Sequence, residues 1–577
     1  MKYFKNITEW QILFLILTWQ ILLTFQGLDL ADTGFHLSAF HFIFNDPYSV
    51  QYSMMFWLSD VCGALWMKLF PAGGLYWMRI GWVFVSSSTF LVFYHLLRLV
   101  ADRKPALISL SITTVFILRG GPECLNYDLF TALGYSLSLL FMVRGLLTPK
   151  AYLLYLSGLL LGISFFFKLS NISSLGFLLL IPFFGIISHT ERATILKNIG
   201  ITIAGIITGA TLILLLIKEL GHWQLFWENI RFIVYMGADQ QASHGLKPML
   251  LSYLYGYANA FVMLTVFLIA VVILNKFHQR HPRLLQGPNS NRLLVIMASI
   301  LLLFLIFLPD PVWSKIRYLF IGLMLYYGIY EMLNLNTNKT IRLLAFAGLL
   351  LLVITPLGSD SGLGKSIWGM WLLGPLLLIG TPSFNKLKIQ PPTKELVDVL
   401  RKAVAILLLV SGIVYAWQHT YFDTGSRFQK TYSIRHPKLK LIYTSPARAN
   451  AMNELIKDGL PKLKDQSYLL SFIEIPLFNY LTDKQPFIST SWPKLYYKPQ
   501  TFRDKLAEAL IHRKQLPAII RQTQATKLAD WPSDGPGHFD DWPGHLRVLD
   551  EFTSQYHYQV VWENEIFQVL ICEENGK

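Results

Sequence analysis

The chain has 577 residues, 53% of them hydrophobic, 14% aromatic and only 15% charged, with a net charge of +15 and a mean hydropathy of +0.43. That balance excludes a water-soluble chain of this length and points to a polytopic membrane protein. Three scattered cysteines, Cys62, Cys124 and Cys572, exclude a disulfide framework and any C-x-x-C metal or redox motif.

In chain order, thirteen apolar runs are predicted as membrane spans, at about 10–27, 75–98, 105–119, 127–145, 151–167, 172–188, 197–217, 250–274, 292–308, 316–333, 341–356, 367–381 and 402–418. The first follows Lys2 and Lys5 and is followed by no small-x-small cleavage site, so it is expected to be retained, with a cytoplasmic N-terminus. On that topology the outer segments before residue 420 hold about half as many lysines and arginines as the inner ones, as the positive-inside rule requires. The positive charge is thereby explained by anionic lipid, and no nucleic-acid partner is expected. Acidic residues show the opposite bias. Asp29, Asp32, Asp46, Asp60, Glu123, Asp128, Glu219, Glu228, Asp239, Asp310 and Asp360 all fall outside. Orientation rules do not demand this, so the outer side is expected to use carboxylates.

Three outer loops stand out. The first, 28–74, opens on Asp29 and Asp32 and contains Met54 to Phe70, which reads as helices lying along the interface. The second, around 219–249, combines Trp223, Trp227 and a polar stretch from Gln240 to His244. The third, 356–365, is a glycine- and serine-rich turn around Asp360 that ends on Lys365. From about residue 421 the composition becomes that of a small α/β domain, with a strand at Leu439–Tyr443, a helix after Thr444-Ser445-Pro446, strands at 468–473 and 516–520, and a hairpin at 558–570. The expected fold is therefore an all-α polytopic domain, residues 1–420, with a small outer α/β domain, residues 421–577.

Asp29 and Asp32 directly follow the first span, and at i, i+3 they share a face if that segment is helical. Acids at that depth are functional candidates by default, against the alternative that they cap a helix or are simply solvated. Leu30-Ala31-Asp32-Thr33-Gly34-Phe35-His36-Leu37 resembles the Asp-Glu-Gly-Tyr-Tyr-Leu type of motif in the GT-C superfamily of polyprenyl-phosphate-sugar-dependent glycosyltransferases, which includes protein mannosyltransferases, aminoarabinose transferases and oligosaccharyltransferases. Thr33 stands where many members carry Glu. The resemblance covers most of residues 1–420 in layout. It implies a GT-C-type membrane glycosyltransferase, inverting at the anomeric carbon, that moves a sugar from a polyprenyl-phosphate carrier to a lipid, glycan or protein acceptor on the periplasmic face of a bacterial cytoplasmic membrane.

Sugar transfer needs a base for the acceptor hydroxyl and positive charge for the departing phosphate. Asp32 is the expected base, with Asp29 second. Glu123 and Asp128 resemble a second acidic position of the superfamily; for Asp128 and its neighbour Asn126, capping of the next helix is the rival reading. Lys168 and Asn171 occupy a short outer turn where a lipid phosphate would sit, or else Lys168 snorkels from a helix end. Lys315 and Arg317 place two cations at another outer interface, and His36 and Asp360 complete the expected substrate contacts. Asp32 and Asp128 are also the carboxylates that could hold a divalent cation. No Walker A, G-x-G-x-x-G, G-x-S-x-G or H-E-x-x-H motif is present, which removes ATP-driven pumping, dinucleotide chemistry and zinc proteolysis. The rival classes are a flippase or transporter of lipid-linked saccharides, expected to carry ionisable groups in mid-span, and a polysaccharide polymerase or ligase.

Overall fold

The computed structural model describes residues 8–121, 123–238, 246–280, 312–359, 361–380, 394–513, 515–527, 530–532 and 543–572. Helix α1 (Glu9–Leu23) starts at Thr8, whose hydroxyl accepts the Gln11 N–H while the Gln11 amide oxygen accepts the Thr8 N–H, a reciprocal cap. A short helix α2 (Asp32–Phe42), a 3-10 segment (Pro47–Phe56) and α3 (Trp57–Leu69) follow. Then come α4 (Gly74–Leu97), α5 (Arg103–Ile117), α6 (Tyr127–Leu147), α7 (Ala151–Ser164), α8 (Leu180–Ser188), α9 (Arg192–Glu219), α10 (Trp223–Ala238) and α11 (Leu246–Arg280). Helices at Val312–Leu333, Lys339–Ile354, Met370–Ile379 and Lys394–Gln418 complete the helical part.

Each predicted span except 292–308, which lies outside the described residues, coincides with helix. Six helical stretches among the described residues are long and apolar enough by themselves to cross a membrane: 71–97, Tyr127–Leu147, 169–188, Arg192–Glu219, 246–273 and 362–379. The expected count of thirteen is thus only partly matched, because α1 and α7 are apolar but shorter. Leu196, Ile203, Ile207, Leu212 and Leu215 point outward along α9, an apolar face that water would not tolerate over such a length. The protein is a multi-pass membrane protein.

Helices α7 and α9 touch through their backbones. A Cβ added to Gly158 would lie 2.0 Å from the Thr202 carbonyl oxygen, and one on Gly162 2.2 Å from that of Ile206. Reciprocally, Gly205 and Gly209 on α9 lie against the Tyr155 and Leu159 carbonyls, each at 2.2 Å. Two glycines four residues apart on each partner make a small-xxx-small contact, which in lipid substitutes close packing for a hydrophobic driving force.

Beyond residue 420 a five-stranded sheet forms in the order β4-β3-β5-β7-β6, after a two-stranded ribbon of β1 (Tyr432–Ser433) and β2 (Tyr443–Thr444). Strands β3 (Tyr468–Phe472), β4 (Gln485–Pro486) and β5 (Ala518–Gln522) run parallel, while β6 (Tyr558–Glu563) and β7 (Phe567–Cys572) close the sheet as an antiparallel hairpin. The hairpin falls where the alternation predicts it. The strand expected at Leu439–Tyr443 does not form: Pro437–Leu439 is a 3-10 turn, and only Tyr443 and Thr444 pair. Ser445 occupies the N-cap position of the next helix without a side-chain cap bond, and Pro446 takes its first position.

The sheet's core is not sealed off. Phe35, Tyr52 and Phe56 from the first loop pack in one buried cluster with Leu470, Phe472, Phe487, Trp492 and Leu549 of the tail. Gly34 permits this approach, because a Cβ there would lie 2.2 Å from the Leu477 backbone nitrogen.

Candidate functional site

The strip between α1 and α2 is held by groups far along the chain. Gly27, at φ +100°, turns the backbone after α1, and its N–H donates to the Tyr443 carbonyl at 2.9 Å. The Leu28 N–H donates to the buried Asp423 carboxylate at 2.8 Å, and the Leu477 N–H donates to the Leu30 carbonyl at 3.1 Å. The buried Arg79 guanidinium donates to the Gly27 and Thr24 carbonyls at 2.6 and 2.7 Å. Helix α2 therefore leaves a pre-set anchor, and Asp32 is its first residue.

Because the helix begins at Asp32, Asp29 precedes it, and the two acids do not share a helical face as the i, i+3 spacing implied. Asp29 accepts the Ala31 and Thr33 N–H groups, one on each carboxylate oxygen, at 2.8 and 2.7 Å. It serves the helix end in the manner of a cap. Burial, and then the negative charge of Asp32, push its carboxyl up to about 7, against the pull of those N–H bonds. Asp32 is half-buried, and the Tyr421 hydroxyl donates to its Oδ2. Burial, followed by the charges of Asp32 and Asp29, holds the Tyr421 phenol well above its ordinary range, so it remains a donor.

His36, one turn on, is buried beside Tyr127, with ring centroids 5.4 Å apart. Its ring lies within electrostatic reach of Asp32, Asp128 and Lys365; burial dominates, and the imidazole is pulled down to about 4, so it is neutral at ordinary pH. Tyr127 stacks on Phe56 at 3.9 Å. Beside its ring stand two ammonium groups, Lys168 at 4.9 Å and Lys365 at 5.8 Å from the centroid. Both reach Asp128, Lys168 to Oδ1 at 3.4 Å and Lys365 to Oδ2 at 2.7 Å. Asn126, not Asp128, caps α6 by accepting the Leu129 N–H at 3.1 Å. The cap leaves the Asp128 carboxylate to the lysines.

Asp32, His36, Asp128 and Lys168 are thus brought to one place, joined by Lys365 and Tyr421, which sequence reasoning did not select. In the sequence Lys365 is only the end of the third loop, and Tyr421 only the point where the composition changes. Two of the remaining expected residues, Glu123 and Asn171, are held by other partners. Glu123 is buried and accepts Arg427 Nη2 at 2.6 Å, while the same guanidinium donates to the Ala416 and Leu23 carbonyls at 2.6 and 3.0 Å. It ties the start of the tail to the helices and contacts no site residue named above. Asn171 donates to Thr131 Oγ1 and the Ser164 carbonyl, both at 2.8 Å, and braces its own turn. Arg317 adjoins the turn carrying Lys365, with Nη1 3.7 Å from where a Gly364 Cβ would be, and Lys315 is buried half a turn earlier on the same helix. Asp360 and the Gln240–His244 stretch lie outside the described residues.

Asp32 and Asp128 do not fit the role of joint metal ligands. Both Asp128 oxygens already face ammonium groups, and among the described residues no cluster of three His, Cys, Asp or Glu side chains forms a cation site.

Neither a family model nor a curated protein matches the sequence. The solved structures to which this chain is similar in layout include the following two. One is the Archaeoglobus fulgidus oligosaccharyltransferase tethered with an acceptor peptide, at 10% identity and a TM-score of 0.46, over 91% of this chain and 70% of that one. The other is ArnT from Cupriavidus metallidurans bound to undecaprenyl phosphate, at 9% identity and a TM-score of 0.44, over 96% of this chain and 97% of that one.

Proposed function

We propose that this protein is a membrane glycosyltransferase of the GT-C type, transferring a sugar from a polyprenyl-phosphate carrier to an acceptor on the side of the membrane where the tail lies. The observation that carries the reading is the convergence of one half-buried carboxylate, Asp32, with a lysine pair, Lys168 and Lys365, at the tail-side ends of helices far apart in sequence. An electrophilic sugar phosphate needs this division of labour.

In the proposed reaction the acceptor hydroxyl attacks the anomeric carbon as the bond from that carbon to the phosphate oxygen breaks. Asp32 takes the hydroxyl proton, and the polyprenyl phosphate leaves with the bonding pair. One displacement inverts the anomeric centre. Tyr421 fills one Asp32 oxygen and leaves the other for the acceptor, while Lys168 and Lys365 meet the charge growing on the phosphate. Neutral His36 fills the floor beside Tyr127 without adding charge.

A place for the lipid chain begins one residue past Gly256, which packs against the turn that carries Lys365. An apolar groove of about 820 Å³ runs between α11 and helix Val312–Leu333, lined by Tyr257, Phe261, Leu264, Leu325, Tyr326 and Ile329. Above it Gly256 packs against Leu363, two residues from Lys365. A polyprenyl chain lying there would bring its phosphate toward Lys365 and Arg317.

The test is a membrane assay with a labelled polyprenyl-phosphate sugar, reading transfer and donor binding separately. Asp32→Asn should lower transfer by roughly 10²–10⁴-fold with donor binding retained. Lys365→Ala should chiefly weaken donor binding, since that charge meets the phosphate in both ground and transition states. Near-normal transfer by Asp32→Asn would remove the base from Asp32, and saccharide crossing the bilayer without transfer would favour a flippase.

A further inference from the structure

Beside Asp32 the tail supplies a group of aromatic rings and a lysine. Tyr421, which donates to Asp32, lies against Phe422 with ring centroids 4.1 Å apart. Lys527 holds its ammonium 4.7 Å from the Phe422 ring and 4.9 Å from the ring of Trp492. Trp492 in turn meets Phe35 at 6.4 Å, and Phe35 stands one helical turn after Asp32 on α2. The contacts close a ring, Asp32 to Tyr421, Phe422, Lys527, Trp492, Phe35 and back, with the lysine opposite the carboxylate.

Three features of this ring are those of a binding mouth. Trp492 and Phe35 are buried and form its floor, while Tyr421, Phe422 and Lys527 are half-buried and form its rim. Phe422 is held at φ +48°, a conformation that a bulky side chain adopts only where its surroundings impose it. Among the described residues Lys527 pairs with no carboxylate, and its ammonium stands at the faces of Phe422 and Trp492. The other cations near Asp32, Lys168 and Lys365, stand at Asp128, where the proposed reaction places the donor phosphate.

We infer that Lys527, with Phe422 and Trp492, anchors an acceptor subsite for an anionic saccharide, one whose phosphate or carboxylate lies roughly a sugar's width from the hydroxyl that Asp32 deprotonates. The acceptor role rests on the transferase reading above; the anion site rests on the ring itself. The steps from Tyr421 to Phe422 and from Phe422 to the Lys527 ammonium, 4.1 and 4.7 Å, keep the cation within a sugar's reach of the phenol that meets Asp32. Charge at Lys527 orients the acceptor, and the aromatic floor takes its apolar face.

The test is ligand-detected NMR titration of the purified full-length protein with glucose 6-phosphate, glucuronate and glucose. The unmodified protein should bind at least one of the two anionic probes more tightly than glucose, and the preferred one identifies phosphate or carboxylate. Lys527→Ala should weaken that probe by about tenfold or more, to the level of glucose, while leaving glucose unchanged; Lys527→Arg should keep most of the preference. Equal binding of the three probes, an unaltered preference in Lys527→Ala, or an anion preference lost in Lys365→Ala and kept in Lys527→Ala would each overturn the inference. If the preference depends on Lys527 in a protein that transfers no sugar from a polyprenyl carrier, the transferase reading fails and the anionic saccharide site stands.

Discussion

Two acids three residues apart at the start of a loop look alike in sequence, and the fold gives them opposite tasks. Asp29 spends both oxygens on backbone N–H groups of its own turn, whereas Asp32 takes a single phenol from the other end of the chain. Asp29 also carries a pH signature. With its carboxyl raised to about 7 in the fold, against 3.8 ordinarily, the folded state binds more protons than the unfolded state between those values. Stability from this group is therefore complete below about pH 4 and is lost as pH rises through 7. Asp29→Asn should remove that part of the slope, seen as a smaller fall in Tm between pH 5 and 8 than in the unmodified protein; an unchanged slope would mean that Asp29 is ionised throughout. The acidic motif was legible because it is local, directly behind an apolar run. Tyr421 and Lys365 were not, being 389 and 237 residues from the carboxylates they meet. No periodicity or spacing connects residues so far apart. Glu123 was misleading for a related reason: its partner Arg427 lies 304 residues on.

Helices were the most readable elements, since a run of apolar residues in lipid has few alternatives to helix. Their lengths were less so. Segments such as Leu169–Leu179 and Gly362–Gly369 tighten into 3-10 geometry before the α-helix proper, with Lys168 directly before the first and Lys365 inside the second. The small two-residue strands β1, β2 and β4 were beyond reach, because they are created by pairing and not by their own alternation. Among helix contacts, α7 against α9 makes the sharpest prediction. Gly162→Leu would force a branched side chain into the Ile206 carbonyl, 2.2 Å from where even a Cβ would lie. The helices must then separate, at a cost of about 1–3 kcal/mol. A lower Tm in detergent and a lower yield from membranes are expected, with Gly200→Leu as the comparison, since nothing lies within 4 Å of a Cβ there. Equal losses for the two variants would show that the contact does not hold the pair together.

On the scale of the whole molecule, the bias of basic residues predicts that the N-terminus and the tail lie on opposite sides of the membrane, the tail outside. A pair of reporters fused after Lys577, one active only in the cytoplasm and one only outside it, reads this directly. Cytoplasmic activity alone would overturn the orientation and with it the proposed access of an outer acceptor. The composition changes near residue 421, well before the first strand of the five-stranded sheet at Tyr468, and the sequence holds no sign of how closely the helices and the sheet share a core. Phe35, Tyr52 and Phe56 are apolar residues of a membrane loop by any pattern, and their partners Phe472, Phe487 and Trp492 read as an ordinary interior. Their union is a matter of tertiary fit, which has no signature in one dimension.

The grip of Tyr443, Asp423 and Leu477 on the strip between Phe25 and Leu30 also sets a clock. A ribosome finishes the Asp32 loop when most of the chain is still unmade, and the loop reaches the membrane surface without any of the groups that shape it. It must wait, open, through the insertion of every later helix. The contacts that fix it have among the largest sequence separations in the molecule, the kind that form late in folding. The Asp32 half of the site is consequently completed only once the tail is made, and a nascent or truncated chain lacking the tail would lack Tyr421 and the grip on this strip, whereas the Asp128 lysines need only the helices.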